Sequence, residues 1–294
     1  MSIRVYAEAP EPNIRSMERI ITNLKRYAPP SVVFVPESSG ADLVLLHVNG
    51  RPDRAYRQAN QASMRRQRFA VIQYCVRSTL EPETHRWWDL WHEATLVWSY
   101  YDLNGLRRED HAYGYLTNTY CSPLGADSDV FVLPDSDRYR PFKIGMSGGG
   151  PMVESIREAA YATAAGHHTM FHLGPLSFGS HITAVENVSD TELATWYQQC
   201  QYFGGLRRKE GFEMCCAEAL LCGARPIFFD RIHYRQWFND FGLFIPEGSR
   251  DAVIQSLTDI FQQPVIPVSP DERAAAAARF HWPSICTEFW RRCL

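Results

Sequence analysis

Two carboxylates, Glu210 and Glu218, stand eight positions apart in the run Arg207-Arg208-Lys209-Glu210-Gly211-Phe212-Glu213-Met214-Cys215-Cys216-Ala217-Glu218. Residue types in this order describe a helix start able to grip a ligand. Glu210-Gly211-Phe212 has the composition of a tight turn. Glu213 to Cys222 holds no Pro, Gly or β-branched residue, which predicts a helix, and Gly223 is placed to stop it. Arg225 to Asp230 reads as a short buried strand ending in an acid. Turn, helix and strand then bring the amides of a helix N-terminus beside the first carboxylate, a place that also suits a phosphate. At about 1.5 Å per helical residue, eight positions span roughly 12 Å, long enough for a ligand held at both ends.

A second phosphate-type signal lies upstream. Ser147-Gly148-Gly149-Gly150 follows the strand-like Phe142-Lys143-Ile144-Gly145-Met146 and precedes a helical run over 152–165. Glycines before a helix expose backbone amides to an anion. In the first half, Arg51, Arg54, Arg57, Arg65, Arg66 and Arg68 fall within eighteen residues, opposed only by Asp53. Arginine in place of lysine favours bidentate contacts to phosphate or carboxylate, and the interleaved Tyr56, Gln58, Asn60 and Gln61 suit a polar, anionic partner.

Other chemistry-bearing groups read more simply. Asp127-Ser128-Asp129 and Asp135-Ser136-Asp137 mimic a D-x-D metal motif but stand in a turn-rich passage where Asp serves turns. His85 and His92 share a predicted helix without a third ligand, so no metal is expected. Trp87, Trp88 and Trp91 have core spacing, and Cys75 has no neighbouring base to make it a nucleophile. His47 ends an apolar strand, either as a satisfied structural residue or facing a ligand.

These groups sit in a chain of 294 residues, 45% hydrophobic and 21% charged, with a net charge of −3. Such a chain is a globular protein with two domains expected, and its charge supplies no global drive toward nucleic acid. Met1-Ser2-Ile3-Arg4-Val5-Tyr6 lacks a signal-peptide pattern and no apolar run is long enough to cross a bilayer, so a cytoplasmic protein is expected. Eight cysteines scattered through apolar stretches, without zinc spacing, read as reduced core thiols.

Apolar β-rich runs alternate with helical segments, which predicts α/β architecture with mainly parallel sheets. Strands are expected at 2–7, 31–36, 42–47, 69–75 and 95–99, with helices at 14–27 and 53–67. A Thr/Asn/Ser/Pro-rich passage follows Tyr113. A second series holds strands at 142–146, 169–173 and 225–230 and helices at 152–165, 191–201, 213–222 and 251–261. Ser269-Pro270-Asp271-Glu272 is a helix start with Ser as N-cap, Pro at N1 and acids in the first turn.

The order of these pieces resembles a retaining glycosyltransferase of the GT-B fold, in the family that carries an E-x7-E motif. Pro123-Leu124-Gly125-Ala126-Asp127 through Phe131 is similar to its interdomain P-x-G-[VA]-D…F. Glu186-Asn187-Val188-Ser189-Asp190-Thr191-Glu192-Leu193 is similar to G-x-V-S-D-E-E-L. Glu210-Gly211-Phe212, Glu218-Ala219 and Cys222-Gly223-Ala224-Arg225-Pro226 match E-G-F-G…E-A…C-G-x-P. Gly242-Leu243-Phe244-Ile245-Pro246 and Arg279-Phe280-His281-Trp282 resemble its G-L-L-V-P and R-F-x-W segments.

The resemblance implies two Rossmann-like domains with parallel sheets facing a cleft. Residues 1–136 would bind an acceptor, 137–268 a nucleotide-sugar donor, and 269–294 would form a helical segment crossing back to the first domain. The implied enzyme moves a sugar from a UDP- or GDP-sugar to a hydroxyl, with retention and without a metal or other cofactor. Glu210 would be the catalytic-site carboxylate on the transferred sugar and Glu218 the ribose contact, with Gly211 and Phe212 in the same donor site.

Departures from the family concern the diphosphate. Its usual G-R…K-G cations are replaced by Gly145 to Gly150, so Ser147, Gly148 and Gly149 are expected to offer amides, and Arg207, Arg208 and Lys209 to supply charge. On the acceptor side the expected contacts are His47, Arg54, Arg57 and Tyr74, the last near where the family carries a histidine. An anionic acceptor such as a nucleic acid or an acidic glycan follows from the arginines, with a viral enzyme acting on a hydroxymethylated DNA base as its specific version. The alternative is a non-catalytic protein that binds nucleotide-sugar or glycan on the same scaffold.

Overall fold

The computed structural model describes residues 2–8, 15–48, 52–74, 84–100, 102–104, 115–134, 139–149, 154–175, 179–208 and 212–294. They fall into two compact units, Met1–Leu124 joined by Trp282–Leu294, and Gly125–His281.

The first unit is a parallel sheet of β1 (Ile3–Ala7), β2 (Val32–Phe34), β3 (Leu43–Val48), β4 (Arg68–Gln73), β5 (Leu96–Ser99) and β6 (Thr119–Cys121) in the order β2-β1-β3-β4-β5-β6. Its helices are α1 (Arg15–Arg26), α2 (Pro52–Met64) and α3 (Thr84–Glu93). Every residue of β3 is buried, as expected of a central strand covered on both faces. Because β2 lies on one side of β1 and β3 on the other, the winding reverses between β1 and β3. The loops leaving these two strands therefore diverge and open a crevice at their C-terminal ends.

The second unit repeats the plan with β7 (Phe142–Ser147), β8 (Thr169–Leu173), β9 (Ile182–Val185), β10 (Cys200–Gly205), β11 (Arg225–Phe229) and β12 (Leu243–Ile245), ordered β12-β11-β10-β7-β8-β9. All its ladders are parallel. Its helices are α4 (Ile156–Ala165), α5 (Asp190–Gln198), α6 (Met214–Leu221), α7 (Ile232–Phe238), α8 (Arg250–Gln262) and α9 (Pro270–Arg279). Here the winding reverses between β7 and β10. Ile144, Met146, Tyr202, Ile227 and Phe229 form the core with Leu257 of α8.

The capping box expected at Ser269 is present: Ser269 Oγ accepts from the Glu272 amide while the Glu272 carboxylate accepts from the Ser269 amide. Glu272 also takes a bidentate pair from Arg225 at 3.0 and 3.1 Å. The remaining donors of this buried arginine go to the carbonyls of Phe241, Ile266 and Pro267. One guanidinium thereby fastens α9 to the start of β11 in the second unit, while residues 269–279 had been expected with the C-terminal crossing segment.

Only the last helix, α10 (Trp282–Cys293), belongs with the first unit. Trp290 donates its indole N–H to the Leu24 carbonyl at 2.9 Å, Phe289 packs on Trp98, and the Tyr120 hydroxyl donates to the Ile285 carbonyl at 3.1 Å. The helix expected over 191–201 ends at Gln198, and β10 begins at Cys200. The strands β6 and β9 were not expected from sequence, being three and four residues long. Among the described residues no helix is long and apolar enough to cross a membrane.

Candidate functional site

The polar side chains with unusual surroundings gather where each sheet reverses its winding. In the second unit β7 runs into Ser147, Gly148 and Gly149, and β10 runs into Leu206, Arg207 and Arg208. Gly148 has φ +125°, a conformation that L side chains rarely adopt, and an added Cβ would collide with the Glu154 carboxylate. Two residues of β8 hold this turn. The Gly148 amide donates to the Leu173 carbonyl at 3.0 Å, and the Gly148 carbonyl lies 2.9 Å from His172 Nε2. Since a carbonyl only accepts, that ring nitrogen carries the proton. Gly174 completes the clamp, because a Cβ there would strike the Gly148 carbonyl. Gly149 has open space around it.

Arg207 is surrounded by acceptors from three other segments. Its guanidinium lies 3.1 Å from Glu213, 3.9 Å from Glu154 and 3.5 Å from the Ser147 hydroxyl. The two carboxylate side chains are 4% and 12% exposed, the arginine 23%. Arg208 lies over the ring of Phe229 and donates to the Gly248 carbonyl at 3.4 Å and to Glu247 at 3.5 Å. Arg231 donates to Glu247 and to the carbonyl of Arg208, both at 2.7 Å. The residues after β10 are thus fixed through side chains and backbone alike.

Glu218 lies on α6, 1% exposed, and accepts from the Tyr197 hydroxyl at 3.3 Å. Phe212 packs between Phe238 and Phe280, at ring separations of 5.4 and 5.8 Å. Glu210, Gly211 and Lys209 lie outside the described residues, as do Arg51, Cys75, Gly150 and the second D-x-D run; of His85, Trp87 and Trp88, only the helical backbone is described. The helix predicted from Glu213 starts at Met214 with Glu213 as its N-cap.

The first unit places its chain of polar groups at the ends of β1, β3 and β4. Glu8, just past β1, is buried, and its carboxylate receives Gln58 Nε2 at 2.8 Å and Arg54 Nε at 2.5 Å. Burial raises the Glu8 pKa above the ordinary carboxylate value, opposed by these two donors. The Glu8 carbonyl lies 3.1 Å from His47 Nε2, and the Tyr74 hydroxyl lies 2.7 Å from His47 Nδ1. The carbonyl requires a proton on Nε2, so Nδ1 accepts from Tyr74. Burial lowers the His47 pKa to about 4 and raises that of Tyr74 well above 10.0. With both ring nitrogens occupied, His47 is a structural support of Glu8.

Among the expected acceptor arginines, Arg54 is held by Glu8 with its side chain 48% exposed, and Arg57 is exposed. Arg65 donates to the Ser38 hydroxyl and Arg68 to the Cys293 carbonyl. Glu8, Glu154, Glu213, His172 and Tyr197 were not expected from sequence. Glu213 did carry a signal, since it stands where the E-G-F-G pattern has its second glycine. Among the described residues no group of three His, Cys, Asp or Glu side chains is arranged to hold a metal ion.

Two parallel six-stranded sheets, each reversing at a crevice, with the last helix returned to the first unit, define the GT-B type of fold. No protein-family model matches the chain, and no curated protein matches it. Solved structures do. Anabaena HepE, determined in complex with UDP, is similar over 99% of both chains with a TM-score of 0.72 at 13% identity. Sucrose-phosphate synthase from Thermosynechococcus elongatus is similar over 96% of this chain and 79% of its own, with a TM-score of 0.66 at 15% identity. The pneumococcal O-GlcNAc transferase GtfA, determined with UDP and GlcNAc, is similar over 85% of this chain and 56% of its own, with a TM-score of 0.63 at 15% identity.

Proposed function

We propose that the protein is a glycosyltransferase that binds a nucleoside-diphosphate sugar in its second unit and passes the sugar to an acceptor hydroxyl. The observation that carries this reading is the clamped Gly148-Gly149 turn at the reversal between β7 and β10, a fixed amide-bearing turn in the crevice where such sheets bind nucleotides. UDP in the structures of two proteins of similar fold supports a uridine donor.

In this reading the diphosphate lies against the Gly149 amide, since the Gly148 N–H is already given to the Leu173 carbonyl; Glu218 takes the ribose, and Glu210 is the carboxylate assigned to the transferred sugar. Tyr197 orients the Glu218 carboxylate by donating its hydroxyl to one of the two oxygens. No metal is invoked, and retention of configuration follows from the E-x7-E resemblance. The acceptor belongs to the first unit, beside Glu8 and Arg54. A nucleic-acid acceptor, including a hydroxymethylated base, draws little support there, because Arg54, Arg65 and Arg68 already contact groups of the protein itself.

Incubation with labelled UDP- and GDP-sugars, followed by analysis for free sugar or glycosylated product, tests the proposal. Slow hydrolysis of one donor class, abolished in E218A, is the expected result. One observation favours the second reading, a non-catalytic binding protein: the arginines nearest the turn are committed to carboxylates and carbonyls. Thermal stabilisation by UDP with no turnover of any donor would select it.

A further inference from the structure

We infer that Arg207 is a positioning residue that neutralises the buried carboxylates of Glu213 and Glu154, and that it is not a ligand of the diphosphate. The inference rests on the donor reading of the second unit and corrects the role expected of this arginine from sequence.

The geometry points this way on three grounds. First, the guanidinium contacts groups from separate segments: Glu213 at the start of α6, Glu154 before α4 and Ser147 at the end of β7. A side chain spanning these segments holds the walls of the crevice together. Second, two carboxylates face one guanidinium. Removing the arginine would leave Glu213, 3% exposed as a residue, and Glu154, 9% exposed, as like charges in a desolvated place. Third, the backbone at Arg207 and at the residue after it is held by neighbouring side chains. The Arg207 carbonyl lies 3.5 Å from the Tyr234 hydroxyl, and the Arg208 carbonyl accepts from Arg231. An arginine that swung to a phosphate would abandon Glu213 and turn a balanced pair into a buried anion beside a second anion.

It follows that Glu213 and Arg207 are exchangeable as a pair but not singly. The test is a calorimetric titration of wild type, R207Q and R207Q/E213Q with UDP and, separately, with uridine. R207Q takes the shared guanidinium away from both carboxylates, so UDP binding should weaken by about tenfold or more while uridine, which lacks phosphate, changes by less than about threefold. The double variant has the same net charge as wild type and should bind UDP within about threefold of it. A double variant as weak for UDP as R207Q would make Arg207 a phosphate ligand and overturn the inference. Equal weakening of UDP and uridine in R207Q would overturn it too, since that pattern is loop collapse without an electrostatic component. Should R207Q fail to fold, R207M/E213M decides alone: UDP affinity near that of wild type supports the inference, and loss of UDP affinity in a folded protein overturns it. Wild-type protein that binds no nucleoside diphosphate at all would sink the donor reading itself, a result distinct from either.

Discussion

The reversal point of each sheet carries an arginine fastened to a buried glutamate, yet the two arrangements serve different ends. In the first unit Arg54 donates through Nε to Glu8 and keeps half its surface in solvent, while Glu8 is supported from beneath by His47 and Tyr74. In the second unit Arg207 is mostly covered and shared between two carboxylates. The outer pair presents its cation, whereas the inner group encloses it. The number of arginines near a crevice is therefore a poor measure of the charge a ligand meets there. What matters is how many partners each guanidinium already has and how deeply they are buried.

The largest expected effect breaks this comparison at its covered end. R207Q should destabilise folding by about 4 kcal/mol, the scale for removing one member of a buried ion group. R54Q should lose only about 1 kcal/mol, because its side chain is half exposed and Gln58 still donates to Glu8. Urea denaturation of the two variants measures both values. Equal losses would remove the distinction drawn between the edges.

A second effect separates the supports beneath the two arginines. His47 is neutral in the folded protein with its pKa lowered to about 4, while in an unfolded chain it binds a proton near 6.5. Its contribution is fully present above pH 6.5 and is lost as pH falls toward 4, for about 3 kcal/mol in all. Denaturation curves of wild type and H47Q at pH 7 and pH 4.5 should therefore converge at the lower pH. A constant gap between them would show that His47 does not enter the acid response of the first unit.

Much of this organisation is written locally and some of it is not. The strands β1, β3, β7 and β11 announce themselves through apolar runs, and the start of α9 through Ser269, Pro270 and Glu272, because strand burial and capping depend on neighbours a few residues away. The strand β10 was hidden. Its sequence Cys-Gln-Tyr-Phe-Gly-Gly ends in two glycines with no β propensity. In the fold those glycines make room for the Met146 and Phe228 side chains, a reason that exists only once the sheet is assembled. The glycine turn after β7 was legible for the same local reason that α9 was. Of the two carboxylates that occupy Arg207, Glu213 was marked by its place in the E-G-F-G pattern, but Glu154 was not legible, since it lies more than fifty residues away in the chain and nothing in its own neighbourhood marks it as a partner. Buried glutamates reached through topology are what charge counting misses.

The smallest predicted effect sharpens the comparison within a single turn. Gly148 and Gly149 are neighbours with the same side chain, yet only Gly148 combines φ +125° with a carboxylate in the path of a Cβ. G148A should lower stability by about 2 kcal/mol through backbone strain and displacement of Glu154. The displacement would also disturb the Arg207 group, so UDP affinity should fall with it. G149A has nothing within 4 Å to meet and should leave stability within about 0.5 kcal/mol of wild type. Its backbone amide remains in place, so UDP affinity should also remain if that amide is the group that holds the diphosphate. Thermal denaturation with and without UDP measures both consequences in one experiment. If G149A matched G148A in its loss of UDP affinity while keeping full stability, a methyl group at Gly149 would be blocking the ligand itself, and the diphosphate would lie over Gly149 more closely than over Gly148.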